Sequence, residues 1–184
     1  MNSSRTLIAV LALVPAILFA QSHYGTRAGS VTFFSSTPVE DIEAANNAAA
    51  CVFDVSSGAV EVSMLMRGFT FKKAKMQEDF NEDFVESATY PKCLLKGTVS
   101  GLDTKHLKQA GTYPVKVEGD LTLHGVTQHV ALDAEITVEE AGGLLVASDF
   151  IIKPEDYKIN VPALVREKIA REIQVKVRMK LEAL

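Results

Sequence analysis

Tryptophan is absent from the 184-residue sequence, tyrosine occurs four times and cysteine only twice. With so few aromatic side chains, a platform on which sugars or nucleic-acid bases stack is poorly supported. Basic residues do not dominate either, since 19 lysines and arginines stand against 23 aspartates and glutamates. This charge balance argues against nucleic acid as a partner and against electrostatic docking onto anionic lipid.

The sequence also lacks the common motifs of catalytic centres. It has no G-x-S-x-G elbow, phosphate-binding loop, G-x-G-x-x-G, H-E-x-x-H or C-x-x-C. His124 and His129 bracket a turn, but two imidazoles without a third ligand make a weak metal site. The conservative interpretation is a turn histidine that bonds to local backbone. We therefore expect no catalytic residues, no metal and no cofactor.

The N-terminal segment is expected to be an export signal rather than part of the fold. Arg5 precedes an apolar run over residues 6–20, and small residues near Ala20 offer a signal-peptidase site. The run is shorter than the roughly 20 apolar residues that span a bilayer. We expect a signal peptide at 1–20 and one domain over 21–184, periplasmic or secreted, with no stable membrane anchor after cleavage.

The dominant pattern after residue 20 is a period of two, which is typical of strands with one apolar and one wet face. Regular alternation covers residues 60–66, 115–123, 130–138 and 173–181. Less regular strands fit at 30–35, 49–55, 92–101 and 144–152. About eight strands are enough to close a sheet. In the run 115–123, odd-numbered residues should point inward and even-numbered residues outward.

Two segments break this period and are predicted to be short helices. Residues 72–88 have apolar side chains four apart, which form one stripe. That stripe consists of Met76, Phe80, Phe84 and Ala88. Residues 162–171 begin with proline at a plausible first helical position. Their expected buried side consists of Leu164, Val165, Ile169 and Ala170.

The two cysteines are expected to point into the barrel. Cys51 shares the alternating face of Phe53, and Cys93 shares that of Leu95. An even number of cysteines permits one disulfide in an oxidising compartment. We favour two small buried side chains, because the sequence does not show that the two Cα atoms come close enough to bridge.

The apolar face of the strands can serve two purposes. A barrel of about eight strands either fills its interior or leaves room for one ligand. Few large aromatic residues are available to plug the centre, and methionines adapt to variable apolar guests. On periodicity alone, a packed core is favoured. If a channel is present, its predicted lining is Val60, Val62, Met64, Met66, Val117, Leu121, Leu132, Ile136, Val175, Val177 and Met179.

Several stretches in order between Ser30 and Leu181 resemble the YceI-like family. The most specific is Val117 to Thr127, which reads VEGDLTLHGVT. The other matching stretches are 31–44, 69–71, 76–84, 90–92, 111–115, 156–159 and 161–162. The resemblance implies an all-β fold, an extended antiparallel lipocalin-like barrel. It also implies a long-chain isoprenoid or similar lipid in a central channel.

The resemblance favours a channel over a filled core. The predicted function is non-catalytic binding or transport of a long apolar lipid, which could be an isoprenoid, a quinone-like molecule or a fatty amide. One alternative is a secreted scaffold with a filled core. Another is an enzyme that acts on a lipid or quinone-like group through Cys51, Cys93 or His124. The sequence leaves a homodimer open.

Overall fold

Antiparallel strands make up most of residues 22–184, which are the residues that the computed structural model describes. The predicted signal peptide at 1–20 lies outside them. The strands are β1 (His23–Ser36), β2 (Asp41–Asp54), β3 (Ala59–Leu65), β4 (Thr70–Phe71), β5 (Lys92–Ser100), β6 (Gly111–Leu123), β7 (Val126–Val138), β8 (Leu144–Ile152) and β9 (Ile173–Ala183). One short helix, α1 (Ala74–Asp79), lies between β4 and β5.

Eight of these strands close into a barrel. Its order is β1, β2, β3, β5, β6, β7, β8 and β9, and β1 pairs with both β2 and β9 to complete the ring. The two-residue β4 pairs with β2 beside Ala44 and Ala45. Closure satisfies the edges that an open sheet would expose. The predicted fold class, an all-β antiparallel barrel of about eight strands with one or two short helices, is confirmed.

The alternation of inward and outward side chains that was predicted for residues 115–123, in β6, is confirmed. Val115, Leu121 and Leu123 are buried, whereas Lys116 and Glu118 are exposed. All thirteen residues of β6 pair in register with β7. The apolar face of β6 therefore points into the barrel along its whole length.

Strands β1 and β2 are much longer than predicted. Each has 14 residues, against the shorter stretches 30–35 and 49–55 expected from sequence. Small and polar residues interrupt their alternation, and the pairing register shifts on both sides of Gly29. Bulges displace the period of two, so a sequence pattern misses the strand on either side of them.

Two facing glycines mark a tight corner of the barrel. Gly97 of β5 pairs with Gly119 of β6, and both occupy inward positions of their strands. A Cβ on Gly119 would collide with the carbonyl oxygen of Lys96. Glycine within a strand is typical of such close approach at a barrel corner. The pair also leaves the part of the wall formed by β5 and β6 without side chains at this position.

The helix predicted over residues 72–88 is shorter than expected. Helix α1 runs over Ala74–Asp79 and continues as one wide π turn over Phe80–Phe84, where the Val85 N–H donates to Phe80 O at 2.9 Å. Glu86 then has a φ of 45°, which ends the helical path. Ala88, predicted on the buried stripe, is therefore exposed. Within residues 22–184, no helix is long and apolar enough to cross a membrane.

The helix predicted over residues 162–171 is wrong. Only one 3-10 turn forms there, at Ala163–Val165, and Leu164 is 93% exposed rather than buried. A hydrogen bond from the Ala170 N–H to Ser35 Oγ, 2.8 Å long, ties this segment to the end of β1. The segment therefore lies against the end of the barrel as an extended chain with one 3-10 turn. In that turn, Val165 points inward and Leu164 points outward.

Because the strands run alternately up and down, every second connection lies at the same end of the barrel. The helix end carries connections 37–40, 66–91, 124–125 and 153–172. The turn end carries connections 55–58, 101–110 and 139–143, with the start of β1 and the end of β9. We call these two ends the helix end and the turn end.

Candidate functional site

The barrel encloses a cavity of about 370 Å³. All eight barrel strands contribute inward side chains to its wall, and α1 and the segment 153–172 complete the wall. Ligand pockets in proteins typically measure about 300–1,000 Å³. The interior therefore has room for a guest.

All eleven residues of the predicted channel lining lie on this wall: Val60, Val62, Met64, Met66, Val117, Leu121, Leu132, Ile136, Val175, Val177 and Met179. They come from four strands, β3, β6, β7 and β9, and from the 3-10 turn that follows β3. The period of two located them because inward positions of a closed barrel share one interior.

A cluster of phenylalanine rings was not anticipated from sequence. Phe33, Phe69, Phe71 and Phe80 meet at the helix end with ring centroids 5.1–5.8 Å apart. The rings line one part of the cavity, so four of the few aromatic residues gather at a single place. The helical stripe signalled Phe80, but Phe33 lies in β1, where no clear alternation marks it.

Buried side chains close the cavity at the turn end. The side chains of Phe53, Leu144 and Leu181 are 2%, 0% and 1% exposed there. Leu102, in the connection after β5, is also buried and covers the same end. A guest in the cavity must therefore enter from the helix end or through the side wall.

The side wall has a gap between two strands. Backbone pairing of β7 with β8 covers only Glu135–Val138 of β7 and stops where Glu135 meets Ala147. Beyond that point, Ser148 Oγ donates a bond of 2.7 Å to Asp133 O. The other nine residues of β7 pair only with β6 in the described chain, and the other five residues of β8 pair only with β9.

Residues 153–172, which we call the strap, border this gap. Their apolar side chains on the cavity wall are Pro154, Ile159, Val161, Val165 and Ile169. Gln128 Nε2 of β7 donates to Asp156 O of the strap at 2.8 Å. The strap thus forms part of the wall by side-chain packing, where strand pairing is missing.

His124 fastens the strap to the barrel. It is 9% exposed, and its Nδ1 lies 3.0 Å from Tyr157 O. Since a carbonyl oxygen only accepts, Nδ1 carries a proton. Its Nε2 lies 3.3 Å from Glu86 Oε1, and the Tyr90 ring packs against it at 4.5 Å. The expected local backbone partner is wrong, because Tyr157 is 33 residues away.

The two histidines of the β6–β7 hairpin do not meet. His129 lies on the outer surface, with Nδ1 3.2 Å from Asp120 Oδ1. His124 is not on the cavity wall. Across residues 22–184, no group of three histidine, cysteine or acidic side chains is arranged to hold a metal.

Both cysteines point inward, as predicted, and both line the cavity as free thiols. Strand β3 separates them, since Cys51 pairs with Val62 and Cys93 with Met64. Two strand spacings place their Cα atoms about 10 Å apart, which exceeds the roughly 7 Å limit for a disulfide. The geometry therefore keeps the thiols apart.

Neither thiol is activated as a nucleophile. Burial raises the pKa of Cys51 and of Cys93 to about 12. At neutral pH both remain protonated, and the thiolate is the reactive form. Among the described residues, no histidine is hydrogen-bonded to either sulfur. In the described chain, neither thiol therefore forms the pair of nucleophile and general base that covalent catalysis by cysteine uses.

The structure is a closed eight-stranded antiparallel barrel around an apolar cavity, an architecture that in other proteins is either filled by side chains or holds one small ligand. A family model of the YceI-like domain matches residues 15–181, nearly the whole chain. The chain belongs to the YceI-like family, as its motifs indicated. None of the curated proteins compared with it matches its sequence.

Solved structures share this fold at low sequence identity. A polyisoprenoid binding domain from Saccharophagus degradans has a TM-score of 0.76 and 16% identity, covering 89% of this chain and 99% of its own. Burkholderia cenocepacia BcnA has a TM-score of 0.68 and 16% identity, covering 84% and 96%. The Campylobacter jejuni YCEI protein has a TM-score of 0.56 and 16% identity, covering 98% and 93%.

Proposed function

We propose that the protein binds one long apolar lipid chain in the barrel cavity, without covalent chemistry, and carries it. The observation that supports this most is the cavity itself, about 370 Å³ inside a wall made almost entirely of apolar side chains. A scaffold with a filled core would have no use for such a space.

The size of the apolar wall agrees with useful affinity. Burying a fifteen-carbon chain contributes about 12 kcal/mol at roughly 0.8 kcal/mol per methylene. Ordering the chain costs several kcal/mol of that amount. Micromolar or tighter binding is then within reach. An apolar wall distinguishes one added carbon only weakly, by about 1–3 kcal/mol.

A structural relative and the cavity both support this class of ligand. The Saccharophagus degradans domain of the same fold is described as polyisoprenoid binding. A polyisoprenoid, a quinone-like lipid and a fatty amide all supply the long hydrocarbon that the wall of this chain fits. We also propose that the signal peptide is cleaved near Ala20 and that the protein binds its lipid in the periplasm or outside the cell.

The test compares two phenylalanine variants on one strand. Ala134 of β7 lines the cavity, whereas Ala131 of the same strand is exposed on the outside. Native mass spectrometry of protein purified without detergent gives the lipid bound per mole. We expect Ala134→Phe to lose most of the bound lipid while it remains folded, and Ala131→Phe to keep it.

A filled core predicts a different outcome for the same pair. There, Ala134→Phe would overpack the interior and lower the free energy of unfolding by about 1–3 kcal/mol. No lipid would accompany the unmodified protein or either variant. That combination would replace the carrier by the scaffold alternative.

A further inference from the structure

Polar side chains are unevenly distributed over the cavity wall. Beside the gap in the side wall, Ser148 already donates its hydroxyl to Asp133 O. The other hydroxyl on the wall belongs to Ser63. The charged wall residues are Glu40, Asp79 and Lys168. All three lie on connections or on α1 at the helix end, so the polar end of a bound lipid belongs there.

Two of these three charges already have a partner. Glu40 Oε1 lies 2.7 Å from Lys73 Nζ, and Asp79 Oδ1 lies 2.8 Å from Lys75 Nζ. Lys168 of the strap has no ion-pair partner within 4.0 Å among residues 22–184. Among the three charged residues on the cavity wall, Lys168 is therefore the one whose charge remains available to a ligand.

The position of Lys168 fits the rim of the cavity. It follows the 3-10 turn of the strap, where its N–H donates to Val165 O at 3.0 Å. The hydrogen bond from Lys73 lowers the pKa of Glu40, and the nearby charge of Lys168 lowers it further. Lys168 is thus close to the β1–β2 turn, which lies beside its own segment because Ala170 of the strap bonds to Ser35 at the end of β1.

We propose that Lys168 binds the anionic head group, a carboxylate or a phosphate monoester, of the lipid whose chain lies in the barrel. This rests on the proposed function, because it assigns the polar end of the same ligand. A neutral head group gains little from an ammonium, and a cationic one is repelled by it. Glu40 does not compete for Lys168, since Lys73 holds its carboxylate.

Four ligands with the same sixteen-carbon chain test the head group. Hexadecanoic acid, hexadecyl phosphate, hexadecanol and hexadecylamine each displace Nile red from the delipidated protein. An ion pair at an exposed rim is worth about fivefold in affinity. We expect one or both anionic ligands to bind about fivefold more tightly than the alcohol, and the amine to bind more weakly than the alcohol. The acid and phosphate arms identify which anion is preferred.

Two substitutions assign the preference to one side chain. Lys168→Gln should remove the advantage of the anions, and Lys168→Glu should transfer it to the amine. Lys108→Gln is the matched control, because Lys108 is exposed at the turn end. It should leave the order of affinities unchanged.

The outcomes separate the two proposals. Equal affinity of all four ligands for the unmodified protein would overturn the head-group assignment and leave lipid binding intact. A preference for anions that persists in Lys168→Gln would overturn the role of Lys168. Failure of every ligand to displace Nile red, or of Nile red itself to bind, would overturn the proposed function.

Discussion

The two ends of the barrel are built from the same strands but differ in packing. At the turn end, Leu144 and Leu181 are almost fully buried and the connections are short. At the helix end, Phe33, Phe150 and Ile152 are only half-buried, and two long connections surround the cavity. We therefore expect Leu144 and Leu181 to contribute more to stability than the half-buried residues of the helix end, and the space for a guest lies where the strands separate.

The cause of the difference is the pairing of β7 with β8. Near the turn end these strands pair over Leu144–Ala147 of β8. Toward the helix end they separate, and the strap covers the space between them. Packing by a connecting segment leaves more room than a continuous hydrogen-bonded sheet. The difference between the two ends therefore depends on the residue at which the hydrogen-bonded pairing of β7 with β8 stops.

The largest expected effect compares two truncations on β8. Leu144→Ala removes a fully buried side chain at the turn end and should lower the free energy of unfolding by about 2–5 kcal/mol. Ile152→Ala removes a half-buried side chain at the helix end, and we expect a cost of about 1 kcal/mol. Urea denaturation of both variants measures this. Equal losses would break the distinction between the two ends.

A smaller effect is expected from the histidine that fastens the strap. Asparagine tolerates the positive φ of 50° at His124. His124→Asn should still leave Tyr157 O without its partner and cost about 1–3 kcal/mol. His129→Asn removes an exposed hydrogen bond to Asp120 and should cost less than about 1 kcal/mol.

The same two variants report on the strap through lipid release. Because His124→Asn loosens the strap beside the gap, bound lipid should leave faster than from the unmodified protein. His129→Asn should release lipid at the unmodified rate. If His124→Asn lowered stability without changing the release rate, the strap would not control access to the cavity.

The last expected effect on stability concerns the two thiols and appears only at alkaline pH. Their pKa is about 12 in the folded protein, against about 8.5 in an unfolded chain. Since the folded-state pKa is the higher one, this contribution to stability is present below about pH 8.5. It is lost as the pH rises toward 12. Native protein should therefore resist alkylation by iodoacetamide at pH 9, while urea-unfolded protein reacts.

The order of labelling sharpens the comparison between the ends. Cys93 is the second residue of β5, next to the helix end, whereas Cys51 lies closer to the turn end. If the helix end opens more readily, Cys93 should be alkylated before Cys51. Mass spectrometry of peptides gives the order. Labelling of Cys51 first would indicate that the turn end opens more readily.

The sequence predicted the barrel best where alternation is regular. The inward face of β6 follows directly from Val115 to Leu123, because a closed sheet turns every second residue to the same interior. The eleven lining residues lie on the wall for the same reason. Half of β1 and half of β2 were missed, since small residues and the bulges around Gly29 leave no period to detect.

The features of the helix end depend on contacts between distant segments. Nothing near Leu164 shows that Ala170 will bond to Ser35, so a helix was the natural expectation there. The stop in β7–β8 pairing and the bond from His124 to Tyr157 are likewise properties of the folded chain. Local patterns predict strands, whereas the opening of the barrel is set by long-range register.

Hydrogen exchange of amide protons, with and without bound lipid, tests the central claim most directly. If the helix end holds the ligand and the turn end holds the fold together, lipid should increase protection in the strap and in residues 72–91. Protection at the turn end, around residues 54–59 and 139–144, should stay unchanged. Increased protection confined to the turn end, or no change anywhere in lipid-saturated protein, would contradict this division of the barrel.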